Sequence, residues 1–164
     1  MENISDHITY AEGVKSQDAI RNNIDNTPTP KQLANMKLVA VHCFEPLRKW
    51  YGKPIGISSF LRRVLLNKHL RGSATSGHCA GESTGKEEAA IDIDADIFNN
   101  GITNKEIFLW LYEHVEFNEL IWEFGDENNP AWVHVMYRVG DNNKEVLRAI
   151  KGADGKTKYI PFDL

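Results

Sequence analysis

Apolar residues recur at spacings of three and four from residue 33 to residue 51. Leu33, Met36, Ala40, Phe44, Leu47 and Tyr51 form one stripe, the signature of a helix with a single buried side. Thr29 can cap the free N–H groups of its first turn, Pro30 suits the first helical position, and Gly52 and Pro54 stop the run. A second helix is predicted from Asn104, with Ile107, Leu111 and His114 or Val115 along one side. Elsewhere the period is two. Ile and Asp alternate between Ala89 and Ala95, which sends Asp92 and Asp94 to one face of a strand and Ile91 and Ile93 to the other. Glu119 to Phe124 and Ala131 to Arg138 read as strands joined by the polar turn 125–130, hence a hairpin. Val146 to Lys151 and Lys156 to Ile160, around Asp154-Gly155, read as a second hairpin. Pro54 to Phe60 reads as a short strand, residues 61–71 as helical or irregular, and the Gly-, Ser- and Thr-rich stretch 71–88 as a loop.

This order of elements predicts a single α+β domain, with a mainly antiparallel sheet and helices packed on it, over residues 30–164. Residues 1–29, rich in Asn, Asp and Ser, read as a polar N-terminal arm. A chain of 164 residues buries most of its apolar surface without help from disulfides or a structural metal, so a metal here would serve chemistry. A net charge of -4 argues against a non-specific binder of nucleic acid or anionic membrane. Cys43 and Cys79, the only cysteines, are too few for a disulfide framework, and reduced thiols are expected. The first residues have neither a basic segment nor an apolar core after it, so no secretory signal is read there. No apolar run reaches the roughly 20 residues needed to span a bilayer.

Three stretches carry candidate chemistry: Ser76-Gly77-His78, Ala90-Ile91-Asp92-Ile93 and Trp132-Val133-His134-Val135. Two histidines and a carboxylate are the three protein ligands of a catalytic zinc whose fourth position stays open to water. Taken singly, each has a blander reading: a histidine satisfied by a backbone carbonyl, or a solvated strand aspartate. Their conjunction carries the argument. Asp94 points the same way as Asp92 and is a rival ligand, though Asp92 fits the motif better. Cys79 is not counted, because neighbours on a strand point apart. His7, His42, His69 and His114 show no comparable pattern. A calcium loop starting at Asp92 fails on spacing, since its sixth and twelfth positions are Ile97 and Thr103 instead of glycine and glutamate.

Around these stretches stand Glu45-Pro46-Leu47-Arg48, Gly52-Lys53-Pro54-Ile55, Ser59-Phe60-Leu61-Arg62, Asn67, Gly72 and Gly81. The ordered set, over residues 28–138, resembles the zinc D-Ala-D-Ala carboxypeptidase and L-alanyl-D-glutamate endopeptidase family of peptidoglycan peptidases, including its phage endolysin-like members. The resemblance implies a hedgehog/DD-peptidase-like fold and one Zn²⁺ held by His78, Asp92 and His134. It also implies Arg62 gripping a substrate carboxylate or the developing oxyanion, a role that suits a guanidinium. Ser76 reads equally well as a turn cap or as a substrate-binding residue.

The chain departs from the family pattern twice. His78 and Asp92 lie fourteen residues apart, twice the family's usual separation, and Glu82 to Glu88 read as an inserted excursion. The acid that many members carry three residues before the last histidine is replaced by Ala131. Glu123, on the strand expected to pair with that of His134, is the preferred general base, against a reading as an edge-strand charge. Glu119, Asp126 and Glu127 are fallback bases. The expectation is a monomeric zinc metallopeptidase acting on a stem or cross-link peptide of peptidoglycan, with no nucleic-acid partner and no stable membrane insertion. Lacking a recognisable signal, it would be cytoplasmic at synthesis and reach the wall through a phage lysis system or on a virion. The alternative is a catalytically degenerate wall-binding or phage structural module on the same scaffold.

Overall fold

The computed structural model describes residues 2–164. In chain order the elements are α1 (Tyr10–Val14), α2 (Gln17–Arg21), α3 (Pro30–Val39), α4 (Glu45–Tyr51), β1 (Gly56–Ser59), α5 (Val64–His69), β2 (Glu88–Asp94), α6 (Asn104–His114), β3 (Glu119–Glu123), β4 (Trp132–Arg138), β5 (Glu145–Lys151) and β6 (Thr157–Pro161). The six strands form one sheet in the order β1-β2-β4-β3-β5-β6. Every neighbouring pair is antiparallel except β3 and β5, which run parallel. The expected α+β architecture with a mainly antiparallel sheet is what the chain adopts.

The predicted first helix begins as its cap residues dictate: Thr29 accepts from Gln32 N–H while the Gln32 side chain accepts from Thr29 N–H. It is not uniform to its end. Ala40 to Phe44 form a π turn, in which Glu45 N–H reaches back five residues to the Ala40 carbonyl. The widened turn lies just before Pro46, which has no N–H to donate and whose ring crowds the preceding turn. It also broadens the buried stripe, so that Val39 and Cys43 join Met36, Ala40, Phe44 and Leu47 in the interior.

One face of the sheet packs on α3, the π turn and α6. Ile91 and Ile93 of β2, Val133 and Val135 of β4 and Leu120 and Trp122 of β3 meet Met36, Val39, Phe108 and Leu111 in a single core. The opposite face carries the alternate residues of the same strands and is lined by the loop between α5 and β2.

Residues 2–29 form more than an extended arm. Ile4 and Ile8 enter the core, and buried Asn26 donates to the carbonyls of Val14 and Leu61 while accepting from Arg63 N–H. Glu45, buried inside the first helical run, collects Ser5 Oγ, His7 N–H and His7 Nδ1. The polar residues of this segment thus supply the partners that a buried carboxylate needs. Both cysteines are buried and free.

Candidate metal centre

His134 stands at the middle of β4 and faces Asp92 across the β2 pairing, with Ile121 opposite it on β3. Strand alternation therefore puts Asp92, His134, Glu119 and Glu123 on one face, away from the helices. His78 arrives from the loop, in a tight 3-10 turn, Gly77–Cys79, that Ser76 caps by accepting from His78 N–H. The turn lies so close to the sheet that a Cβ on Gly77 would meet Met136 Sδ at 2.6 Å and Ala90 Cβ at 2.9 Å. Glycine is what lets His78 approach β2 and β4.

The loop that follows is held on both sides. Gln32 and Asn35 of α3 donate to the carbonyls of Cys79 and Ala80, and Glu82 accepts from Arg63, Gln32 and Val64 N–H. At its far end buried Glu88 binds Arg138 and Thr84. The excursion of residues 82–88 is therefore fastened to the scaffold, and the long separation between His78 and Asp92 in sequence is closed in space.

His78, Asp92 and His134 are all buried, and one ligand atom from each lies within 4.8 Å of the others. Asp92 Oδ1 is 3.2 Å from His78 Nε2 and 3.1 Å from His134 Nδ1. His78 Nδ1 is 2.7 Å from the carbonyl of Phe60, which accepts only, so that nitrogen carries the proton and Nε2 keeps a lone pair. Nε2 is buried and has no hydrogen-bond partner among the described residues. Two imidazole nitrogens and a carboxylate oxygen converging on one point, one of them orphaned, fit a zinc ion. Asp94 does not join them: its carboxylate accepts from Asp96 N–H and from Asn104 Nδ2.

The electrostatics agree with this donor set. Burial works against the charge on Asp92, but the charges and hydrogen bonds of His78 and His134 outweigh it and hold its carboxyl far below the usual range. Burial, with the charges of Arg62 and His134, lowers His78 despite Asp92. Burial also disfavours a charged His134, yet Asp92 and Glu119 raise it to about 10. Zinc binding would have to displace that proton.

Glu123 faces the same cleft, 7% exposed and outside every ion pair found among the described residues. Burial first, then the charges of Asp92 and Glu119, push it up to about 7 against the opposing His134 and Arg62. Its backbone carbonyl accepts from Ala131 N–H, so the chain places this carboxylate across the strand pair from the alanine that stands where an acid was expected. Arg62 donates its main-chain N–H to the His78 carbonyl, and its Nε is buried without a hydrogen-bond partner among the described residues. Ser76, Arg62 and Glu123 all line one cleft of about 1340 Å³ with the three candidate ligands. Asp126, by contrast, is occupied in its own turn by the N–H groups of Asn128 and Asn129.

Sequence reasoning missed two contributors. Asn104, fully buried at the start of α6, holds Asp94 and the carbonyls of Pro130 and Ala131 and accepts from Ala95 N–H. Nothing in the local pattern marks it beyond its position after a cap. Glu119, weighed only as a fallback base, has its Oε1 3.1 Å from His134 Nε2. Its placement two residues before Ile121, on the face of His134, was available from the period of two. Three of the four remaining histidines make structural contacts: His7 with Glu45, His42 stacked on Tyr137 and His114 stacked on Trp110.

A family model described as Peptidase M15 matches residues 6–136, which include all three candidate ligands and Glu123. No curated protein matches the chain.

Proposed function

Since the chain belongs to the Peptidase M15 family, we propose that it is a zinc-dependent hydrolase of an amide bond in the stem or cross-link peptides of bacterial peptidoglycan. Membership implies a zinc metallopeptidase with a peptide substrate. The observation that carries the reading to this cleft is the buried trio His78, Asp92 and His134, with an unpaired carboxylate and an unpaired guanidinium beside it. His78 through Nε2, Asp92 through Oδ1 and His134 through Nδ1 would hold the ion. When bound, zinc supplies Lewis-acid polarisation of the scissile carbonyl and acidifies a water.

The chain's own residues do the rest. Glu123 takes the proton of the attacking water as the new C–O bond forms, then delivers it to the leaving nitrogen as the C–N bond breaks. A carboxylate with its ionisation near neutrality suits both halves of that task. Arg62 orients a substrate carboxylate or offsets negative charge on the scissile carbonyl oxygen. Ser76, whose hydroxyl oxygen caps the turn, also borders the cleft and is placed to touch substrate. Among the described residues no helix is long and apolar enough to cross a membrane.

The test is metal analysis of the purified protein with mass spectrometry of the products from defined muropeptides. The expected result is one zinc per chain, cleavage abolished by chelation and restored by zinc, and no cleavage by His134→Ala. A fully active His134→Ala variant would refute the reading. Zinc binding without hydrolysis of any wall peptide would favour a binding module instead.

A further inference from the structure

The ring of His134 has two nitrogens, and Nδ1 is committed to the side of Asp92, 3.1 Å from its Oδ1. That leaves Nε2 on the far edge of the ring, buried and without a hydrogen-bond partner along its N–H direction. A buried ring N–H left unmatched is costly, so the identity of an acceptor within reach matters. It is Glu119 Oε1, 3.1 Å away and off the line of the N–H bond. Glu119 sits at the start of β3, in register with Met136, two residues from His134 along the same face of the sheet. Its side chain is about a quarter exposed. Swinging a carboxylate into line needs only a side-chain rotation on a fixed strand.

We propose that Glu119 is a positioning residue for His134: its carboxylate accepts the Nε2 proton and so presents the Nδ1 lone pair to the metal. The inference rests on the zinc reading above. The two histidines would then be held by different means, His78 by the backbone carbonyl of Phe60 and His134 by a carboxylate. An acceptor on the outer nitrogen fixes the ring's tautomer and orientation and makes the inner nitrogen a better ligand. A carboxylate does so more strongly than a neutral carbonyl and adds a negative charge beside a dication. Glu119 is thereby distinguished from Glu123, which faces the same cleft with no such partner.

The experiment measures zinc affinity by chelator competition for the wild type, Glu119→Ala, Glu119→Gln and Glu123→Gln. Long-range ¹H–¹⁵N spectra of the zinc-loaded protein report the tautomer of His134. Glu119→Ala should weaken zinc binding by about 10- to 100-fold. Glu119→Gln, whose amide oxygen still accepts the N–H, should recover most of that loss, and Glu123→Gln should bind zinc as the wild type does. His134 should carry its proton on Nε2. Wild-type zinc affinity in Glu119→Ala, or a proton on Nδ1 of His134, would overturn the inference. So would a Glu119→Gln variant that keeps zinc but loses turnover as fully as Glu123→Gln, which would make Glu119 the base. If Glu119→Ala fails to fold, Glu119→Gln and the tautomer decide. A wild type that binds no zinc would overturn the metal reading itself, an outcome distinct from those three.

Discussion

On β4, Val133 and Val135 press against the helices, while His134 between them looks into an open cleft; on β2, Ile91 and Ile93 flank Asp92 in the same way. The two faces of one sheet are thus built on opposite physics. The helix-packed face is stabilised by apolar burial, worth roughly 25 cal/mol per Å² removed from water. The open face buries ionisable groups, a cost unless each finds a partner. Asp92 and His134 partly satisfy each other, but among the described residues His78 Nε2, Arg62 Nε and the Glu123 carboxylate have no hydrogen-bond partner. Stability should therefore reside on the first face and chemistry on the second, with little exchange between them.

Replacing a group on the open face should give the largest effect. Glu123→Gln is expected to lower turnover on a susceptible muropeptide by roughly 10²- to 10⁴-fold, the usual worth of a general acid–base group. Zinc content and thermal midpoint should stay near wild type. A variant with near-normal turnover would place the base elsewhere on this face.

The helix-packed face should answer in the opposite sense. Ile91 is fully buried beside the candidate ligand Asp92, and Ile91→Ala should cost about 2–5 kcal/mol of unfolding free energy in denaturant titration. The zinc affinity of the fraction that remains folded should change little. A parallel collapse of metal affinity would show that the faces are coupled more tightly than the alternation implies.

A third expectation concerns pH in the metal-free protein. Glu123 is pushed from 4.5 to about 7 by burial and neighbouring charge, so the folded state binds its proton more tightly than the unfolded chain does. Its contribution to stability is then greatest below the ordinary carboxylate value and is lost as pH rises through about 7, a span worth up to roughly 3 kcal/mol. Unfolding followed from pH 4 to 8 should show this slope in the wild type and not in Glu123→Gln. Equal slopes would mean that Glu123 ionises normally. In the zinc enzyme, where a nearby dication favours the carboxylate, the acid limb of activity should fall below that value.

The smallest effect sharpens the boundary within the open face. Asp94→Ala should leave zinc affinity within about twofold and cost about 1 kcal/mol, because its carboxylate caps the turn at Ala95 and holds Asn104. A large loss of zinc would return Asp94 to the ligand set.

Much of this was legible in the chain. The alternation around Asp92 placed it on the strand face away from Ile91 and Ile93, because the period of two needs only local geometry. The capping residue Thr29 marked the start of the first helix for the same reason. The leading segment was harder, since Ile4 and Ile8 are isolated apolar residues among polar ones and only their burial shows that they belong to the core. The parallel pairing of β5 with β3 was likewise invisible, because hairpin patterns say which neighbours pair and not where the second hairpin docks.

By itself, then, the sequence determined the class of fold and the strand face that carries Asp92, both consequences of spacing along a regular backbone, while its resemblance to a family of zinc peptidases marked His78, Asp92 and His134 as candidate ligands. Only the tertiary structure sets Asp92 beside the two histidines and Asp94 apart from them, since both point the same way and what holds Asp94 is a fully buried asparagine arriving from another element. It alone showed that the loop after His78 is clamped, and that Glu119 and Glu123, alike on one strand, differ in their partners. Those distinctions depend on distances between residues far apart in the chain, and such distances arise only when the sheet closes and water is excluded from its open face.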